Sequence, residues 1–291
     1  MTRSVSLCVI SHEQLGGGLI VSVLMLRWKV FVLGVTLACL VLAPAMASDA
    51  DDLAKKLANP VASLISVPFQ ANADMNLGPT DGGERVITNV QPVIPTSISK
   101  DWNLITRVIA PLVFLDGFPD TDTKVFGLGD LTPTFFFSPK APTSGGLIWG
   151  VGPVFLLPTA TDDLIGAEKW GIGPSGLVLR QKGPWTVGAL VNHISSVAGH
   201  DDRADISQSY VQPFVTYNYP GGFSWAISSE TSYDWKGDQW TIPVIAQLNQ
   251  VTKWGKQPIS MGLGFRYYAE APENGPTWGI RAQLVFIFPK K

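Results

Sequence analysis

The chain has 291 residues, 46% of them hydrophobic and only 15% charged, with Gly 29, Pro 22 and Trp 10. Low charge beside many aromatics excludes a disordered chain, which would be charge-rich and aromatic-poor. A balance of 21 Lys+Arg against 23 Asp+Glu, net charge −2, excludes a basic nucleic-acid binder.

From the N-terminus, Met25-Leu-Arg-Trp-Lys29 is a short basic start and Val30 to Leu42 is an almost unbroken apolar run. Ala45-Met46-Ala47 then places small residues where a signal peptidase reads, so 1–47 is expected to be a cleaved signal peptide with Met25 as its true start. An uncleaved anchor is disfavoured because the run is short for a spanning helix. A lipoprotein reading through Leu37-Ala-Cys39 leaves too little hydrophobic sequence after Arg27. Cys8 and Cys39 both precede the cleavage point, so residues 48–291 contain no cysteine and no disulfide can support them. Residues 48–60 form a periplasmic lead. Within it Ser48 to Ala58 predicts a short polar helix with Leu53 and Leu57 on one face, expected to fray, with a lumen plug as the alternative.

Residues 61–291 break into segments of about ten residues with two-residue periodicity, the pattern of a transmembrane β-barrel. In 260–269, Met261, Leu263, Phe265, Tyr267 and Ala269 face one way, and Ser260, Gly262, Gly264, Arg266 and Tyr268 the other. Twelve such segments lie near 61–71, 84–95, 101–113, 127–138, 146–157, 168–180, 184–197, 207–219, 222–234, 239–251, 257–269 and 277–288. An even count brings both chain ends to one side of the membrane. Connections then alternate between short ones, such as Pro220-Gly221, and long ones, such as 158–167.

Charge tests this assignment independently. Connections assigned outside (72–84, 114–126, 158–169, 198–206, 234–239 and 270–276) hold 16 acidic and 4 basic residues. The inner turns and tail hold Lys100, Lys140, Lys182, Lys253, Lys256, Lys290 and Lys291 against Asp101 alone. A soluble β-sandwich, which also alternates, gives no reason for such asymmetry. Trp102, Trp170, Trp185, Trp240, Trp254 and Trp278 lie near strand ends, where amphipathic rings settle at a bilayer interface. Prolines 92, 133, 153, 174, 213 and 243 each remove a ladder bond, so bulges or wet lumen contacts are expected there. The fold class is therefore all-β, a twelve-stranded antiparallel transmembrane barrel.

The stretches 57–70, 127–131 (Gly-Leu-Gly-Asp-Leu), 135–140 (Phe-Phe-Phe-Ser-Pro-Lys), 150–163, 180–185 (Arg-Gln-Lys-Gly-Pro-Trp) and 233–235 (Tyr-Asp-Trp) resemble a family of Gram-negative outer-membrane proteins. Its members go by "transporter", "MetA-pathway of phenol degradation" or, misleadingly, "neuromedin U". The resemblance spans nearly all of 48–291 and implies an outer-membrane barrel with a transport role. It brings no substrate and no catalytic residues.

Twelve strands fall between side-chain-filled barrels of eight and open porins of 16–18, so a narrow polar lumen is expected. Asn89, Gln91, Arg107, Asp130, Glu230, Arg266, Arg281 and Gln283 are expected to face it. Of these, Arg107, Asp130, Glu230, Arg266 and Arg281 form the candidate constriction. If 270 pairs with 277, Arg266 lies opposite Arg281, a like-charge pair that needs a counter-charge. Glu230 could supply it across the intervening strand, and an anionic solute could supply another. The expected function is passive uptake of small polar, anionic or aromatic solutes across the bacterial outer membrane. The alternative is a non-conducting structural or partner-binding barrel.

A lipase-like enzyme is a third, weaker reading. His193 and Ser195, two apart on one strand, share an outward face as in a twelve-stranded outer-membrane phospholipase, yet no Asn or Asp to orient the imidazole is evident. His200-Asp-Asp202 with Asp205 reads as a solvated acidic loop before a cation site. No catalytic set, metal site, cofactor motif or nucleic-acid partner is expected. The expected partners are outer-membrane lipids and a small solute; the oligomeric state is not encoded legibly.

Overall fold

The structure, a computed structural model, describes residues 47–289. The signal-peptide expectation and both cysteines lie outside the described residues. One helix, α1 (Ala47–Leu57), precedes the strands β1 (Ile65–Leu77), β2 (Gly83–Val90), β3 (Val93–Ser97), β4 (Trp102–Asp116), β5 (Lys124–Leu128), β6 (Thr132–Pro139), β7 (Leu147–Leu156) and β8 (Lys169–Lys182). They continue as β9 (Trp185–Gly199), β10 (Ser207–Asn218), β11 (Phe223–Ser229), β12 (Thr231–Asp234), β13 (Gln239–Trp254), β14 (Gln257–Glu270) and β15 (Trp278–Phe288). Among the described residues no helix is long and apolar enough to cross a membrane.

Every pairing between strands is antiparallel, and β1 pairs with β15, from Ile65 opposite Phe288 to Met75 opposite Trp278. The sheet therefore closes and has no free edge. Three wall strands are interrupted. Both β2 and β3 pair with β1 and β4, both β5 and β6 pair with β4, and both β11 and β12 pair with β10 and β13. Counted around the wall, the barrel has twelve strands.

The interruptions have a common cause. At each one a backbone N–H from the broken strand donates to a proline carbonyl on its neighbour: Gln91 to Pro68 (2.9 Å), Gly129 to Pro111 (2.8 Å) and Glu230 to Pro243 (3.2 Å). Proline accepts but cannot donate, so the ladder loses its reciprocal bond at that level. Of the six prolines flagged from sequence, Pro92 sits in a break and Pro243 at a register shift against β14. Pro153 and Pro174 instead face each other across β7 and β8, Pro133 stands just past the β5–β6 break opposite Val108, and Pro213 lies within β10 opposite Ala189. The expected irregularity appears at Pro92 and Pro243, beside Pro133, and at Pro174, where the β8–β9 ladder skips from Ile172 to Ser175.

The first strand departs most from its expected bounds, running Ile65–Leu77 rather than 61–71. Asn59 makes a turn there, its side chain accepting from Val61 N–H at 3.0 Å, which holds 59–64 out of the strand. At the other end Asn72 and Asp74, whose polarity suggests a loop, are buried lumen residues.

The two faces separate by chemistry. Val187, Leu248 and Phe265 on the outer face are 53%, 55% and 51% exposed, whereas Arg266 and Arg281 on the inner face are 7% and 3%. Apolar side chains thus face outward and charges face inward, the division expected of a transmembrane barrel wall. Aromatic clusters mark both rims. Trp185, Tyr217, Trp225 and Tyr219 pack together beside the short turns, and Tyr233, Trp235 and Trp240 beside the long loops.

Helix α1 is docked inside the barrel. Ala50, Leu53 and Ala54 are buried against Leu64, Val251, Val285 and Ile287 on the inner wall. Acidic Asp49 in the first turn and Lys55 and Lys56 in the last complement the helix dipole. Asp51 Oδ1 accepts from the backbone N–H groups of Gly221 and Gly222 at 2.7 and 2.8 Å. Both glycines adopt positive φ in the β10–β11 turn, which turns the two amides toward one carboxylate. Gln181 Nε2 donates to the Lys55 carbonyl at 2.8 Å. The helix is a lumen element at the short-turn end.

Candidate functional site

The inward charges fall into two groups. In the first, Arg281 on β15 donates from Nη2 to Glu230 Oε2 at 2.8 Å and from Nε to Asn72 Oδ1 at 2.7 Å. Arg266 on β14 lies 4.0 Å from Glu230 and 3.6 Å from Asp74, and donates to the Tyr268 hydroxyl at 2.8 Å. Tyr268 donates in turn to Asp74 Oδ1 at 2.8 Å, and Arg85 on β2 closes the other side of Asp74 at 3.0 Å. Three guanidinium groups therefore share two carboxylates.

Register is what lets them meet. Arg281 is opposite Gly264, and Arg266 is opposite Gly279. The expected Arg266–Arg281 pairing is thus corrected by two residues, because Tyr267 already pairs with Trp278 and 271–277 forms the connection. The two arginines sit diagonally, each beside a glycine. A Cβ on Gly279 would lie 2.8 Å from Asp74 Oδ1 and 2.6 Å from the Ala73 carbonyl, so only glycine leaves room for this carboxylate. Glu230 supplies the counter-charge across the sheet.

The second group is Arg107 with Gln91. Arg107 Nη2 donates to Gln91 Oε1 at 2.7 Å, and among the described residues no carboxylate lies within salt-bridge distance of it. Its position is special. The lumen holds two chambers: one of about 280 Å³ at the short-turn end, walled partly by Ala54 and Leu57 of α1, and one of about 580 Å³ toward the long loops. The chambers share five lining residues, Gln70, Gln91, Arg107, Leu190 and Gln212. These mark the waist, the level at which the two chambers meet, and Arg107 is the one charged residue among them. Arg281 and Gln283 line the inner chamber, while Asn89 and Glu230 line the outer one.

Asp130 stands apart from both groups. Its Oδ1 accepts from Thr159 and Ala160 N–H at 3.0 Å each, and its Oδ2 from Ala167 N–H at 2.6 Å. It pins the β7–β8 loop instead of lining the constriction, because the β5–β6 break points its carboxylate into that loop's backbone. The expectation for Asp130 is corrected on that ground.

In the β9–β10 loop, Asp205 is hydrogen-bonded to Lys169 Nζ at 3.2 Å and to Ser196 Oγ at 3.2 Å. The Lys169 ammonium, then the Ser196 hydroxyl, hold its carboxyl below the usual 3.8. His200 reaches only Asp202, at 3.8 Å. Among the described residues no three His, Cys, Asp or Glu side chains are placed to hold a metal ion.

On the outer wall His193 Nε2 lies 3.1 Å from Ser195 Oγ, and Nδ1 lies 3.0 Å from Ser209 Oγ on β10. Ser209 also accepts from Trp235 Nε1 at 2.9 Å. The sequence reading missed Ser209 because only the β9–β10 register, His193 opposite Ser209, brings it there. A neutral hydroxyl cannot compensate an imidazolium as a carboxylate does, so the cluster lacks the third member of a hydrolytic set.

Asn72, Asp74, Arg85 and Tyr268 were also missed as site residues. Their alternation with Ala71, Ala73, Val86 and Tyr267 was a usable signal, but the first strand had to be extended to Leu77 to read it.

No family model matches the chain, and no curated protein does. Solved structures do. The COG4313 outer membrane channel from Pseudomonas putida F1 superposes with a TM-score of 0.60 at 16% identity, over 77% of this chain and 94% of that one. The outer membrane channel DcaP of Acinetobacter baumannii gives a TM-score of 0.30 at 10% identity, over 77% of this chain and 96% of that one. The first of these shares the barrel fold.

Proposed function

We propose that the chain is a bacterial outer-membrane channel for small solutes, with a preference for anions set at the Arg107 waist. The observation that carries this reading is the pair of chambers inside a closed wall, which meet at Arg107, a charge with no carboxylate within salt-bridge distance. A guanidinium in a narrow, partly desolvated passage acts on a passing ion through a low dielectric and with little screening. The acidic long loops face outward and the lysine turns face the periplasm.

Planar-bilayer recording in a salt gradient tests the proposal. Wild type is expected to conduct with an anion-favouring reversal potential, and Arg107→Gln to lose that preference while still conducting. A cation-favouring wild type would overturn the anion preference.

The non-conducting reading has one specific observation in its favour: α1 walls the inner chamber and is tied to the β10–β11 turn. Silence in wild type, and equally in a variant with α1 released, would favour that reading.

A further inference from the structure

The outer chamber has a second chemical side that a simple ion path does not need. Its volume of about 580 Å³ falls within the ~300–1,000 Å³ of small-molecule sites. Arg107, Gln91 and Tyr210 line it together with Ile109, Leu156 and Ile194. Arg107 and Ile109 are two apart on β4 and face inward side by side, while Leu156 comes from β7 and Ile194 from β9. Apolar side chains on a wet inner wall gain free energy only when something apolar covers them. Arg107 spends one N–H group on Gln91, and the planar guanidinium retains donors suited to two oxygens of one acid group. Glu230 and Asp205, ion-paired with Arg281 and Lys169, and Asp234 line the same chamber, so Arg107 can balance one negative charge while a second on the solute would meet carboxylates.

Resting on the channel reading above, we infer that this chamber is a binding site for small monocarboxylates with an apolar body. The carboxylate sits on Arg107, within reach of the waist, and the body lies along Ile109, Leu156 and Ile194. The solute thus enters the waist head first, its charge replacing the missing counter-ion of Arg107.

Titration calorimetry on the purified barrel in non-ionic detergent tests this with hexanoate, hexanamide, acetate and hexylammonium. Hexanoate is expected to bind wild type at least tenfold tighter than hexanamide, which lacks the charge, and than acetate, which lacks the body. Hexylammonium is expected not to bind. Arg107→Gln is expected to weaken hexanoate at least tenfold and Arg107→Lys to restore part of the loss, with heat-modifiable gel mobility confirming that both variants fold. Equal hexanoate affinity in wild type and Arg107→Gln would overturn the site, as would equal binding of hexanamide or acetate. If Arg107→Gln fails to fold, the comparison of ligands on wild type decides alone. Conductance is recorded separately: hexanoate binding without current would leave this site standing and remove the channel. Anion current without Arg107-dependent hexanoate binding would do the reverse.

Discussion

Glu230 concentrates the residue-scale energetics. It meets Arg281 at 2.8 Å and Arg266 at 4.0 Å from a break in its own strand, so one carboxylate serves two guanidinium groups. Both arginine side chains are less than a tenth exposed, 4% and 9%. Removing one member of a buried ionic set costs more than forming it gains, since the partners stay charged and desolvated. Glu230 itself touches the outer chamber, so water moderates the loss, and Glu230→Gln is expected to cost about 2 kcal/mol. Thermal unfolding in detergent should show the lower midpoint, and Glu230→Gln combined with Arg281→Met should recover part of it. A Glu230→Gln barrel as stable as wild type would mean that the charge set contributes nothing to the wall.

At the scale of elements, α1 is held by few contacts and so can be released without disturbing the wall. Its apolar face is short, Ala50, Leu53 and Ala54, and its closest charge-assisted anchor is the Asp51 carboxylate on the Gly221 and Gly222 amides, with Asp49 only 3.9 Å from Lys253. Asp51→Ala removes two hydrogen bonds, about 1–3 kcal/mol together. Faster proteolysis near residues 47–60 and a higher single-channel conductance are the expected readouts, with the unfolding midpoint of the barrel unchanged. Unchanged conductance would place the narrowest point at the Arg107 waist. The helix was legible in the sequence as a helix, from the spacing of Leu53 and Leu57, but its docking was not. That depends on Val251, Val285 and Ile287, which lie some two hundred residues away in the chain. The strand breaks were hidden for the same reason. A proline is visible where it stands, while its effect appears on the neighbour it faces, as Pro243 does at Glu230.

For the whole molecule, closure between β1 and β15 satisfies the backbone but leaves an apolar exterior, including Val187, Leu248 and Phe265. Such a surface exceeds what a soluble monomer leaves uncovered, so the purified protein is expected to stay monodisperse in detergent and to aggregate when detergent is withdrawn, as size-exclusion chromatography would show. Strand number, the facing of most strand residues and the acidic and basic ends were readable from the sequence alone. Each is set by a local rule: side chains alternate at every residue of a strand, and loops carry their own charges. Pairing register, the diagonal of Arg266 and Arg281, the diversion of Asp130 to a loop and the waist at Arg107 were decided only by tertiary structure. Those features depend on how far one strand slides against the next, and a shift of two residues preserves every facing while changing every partner.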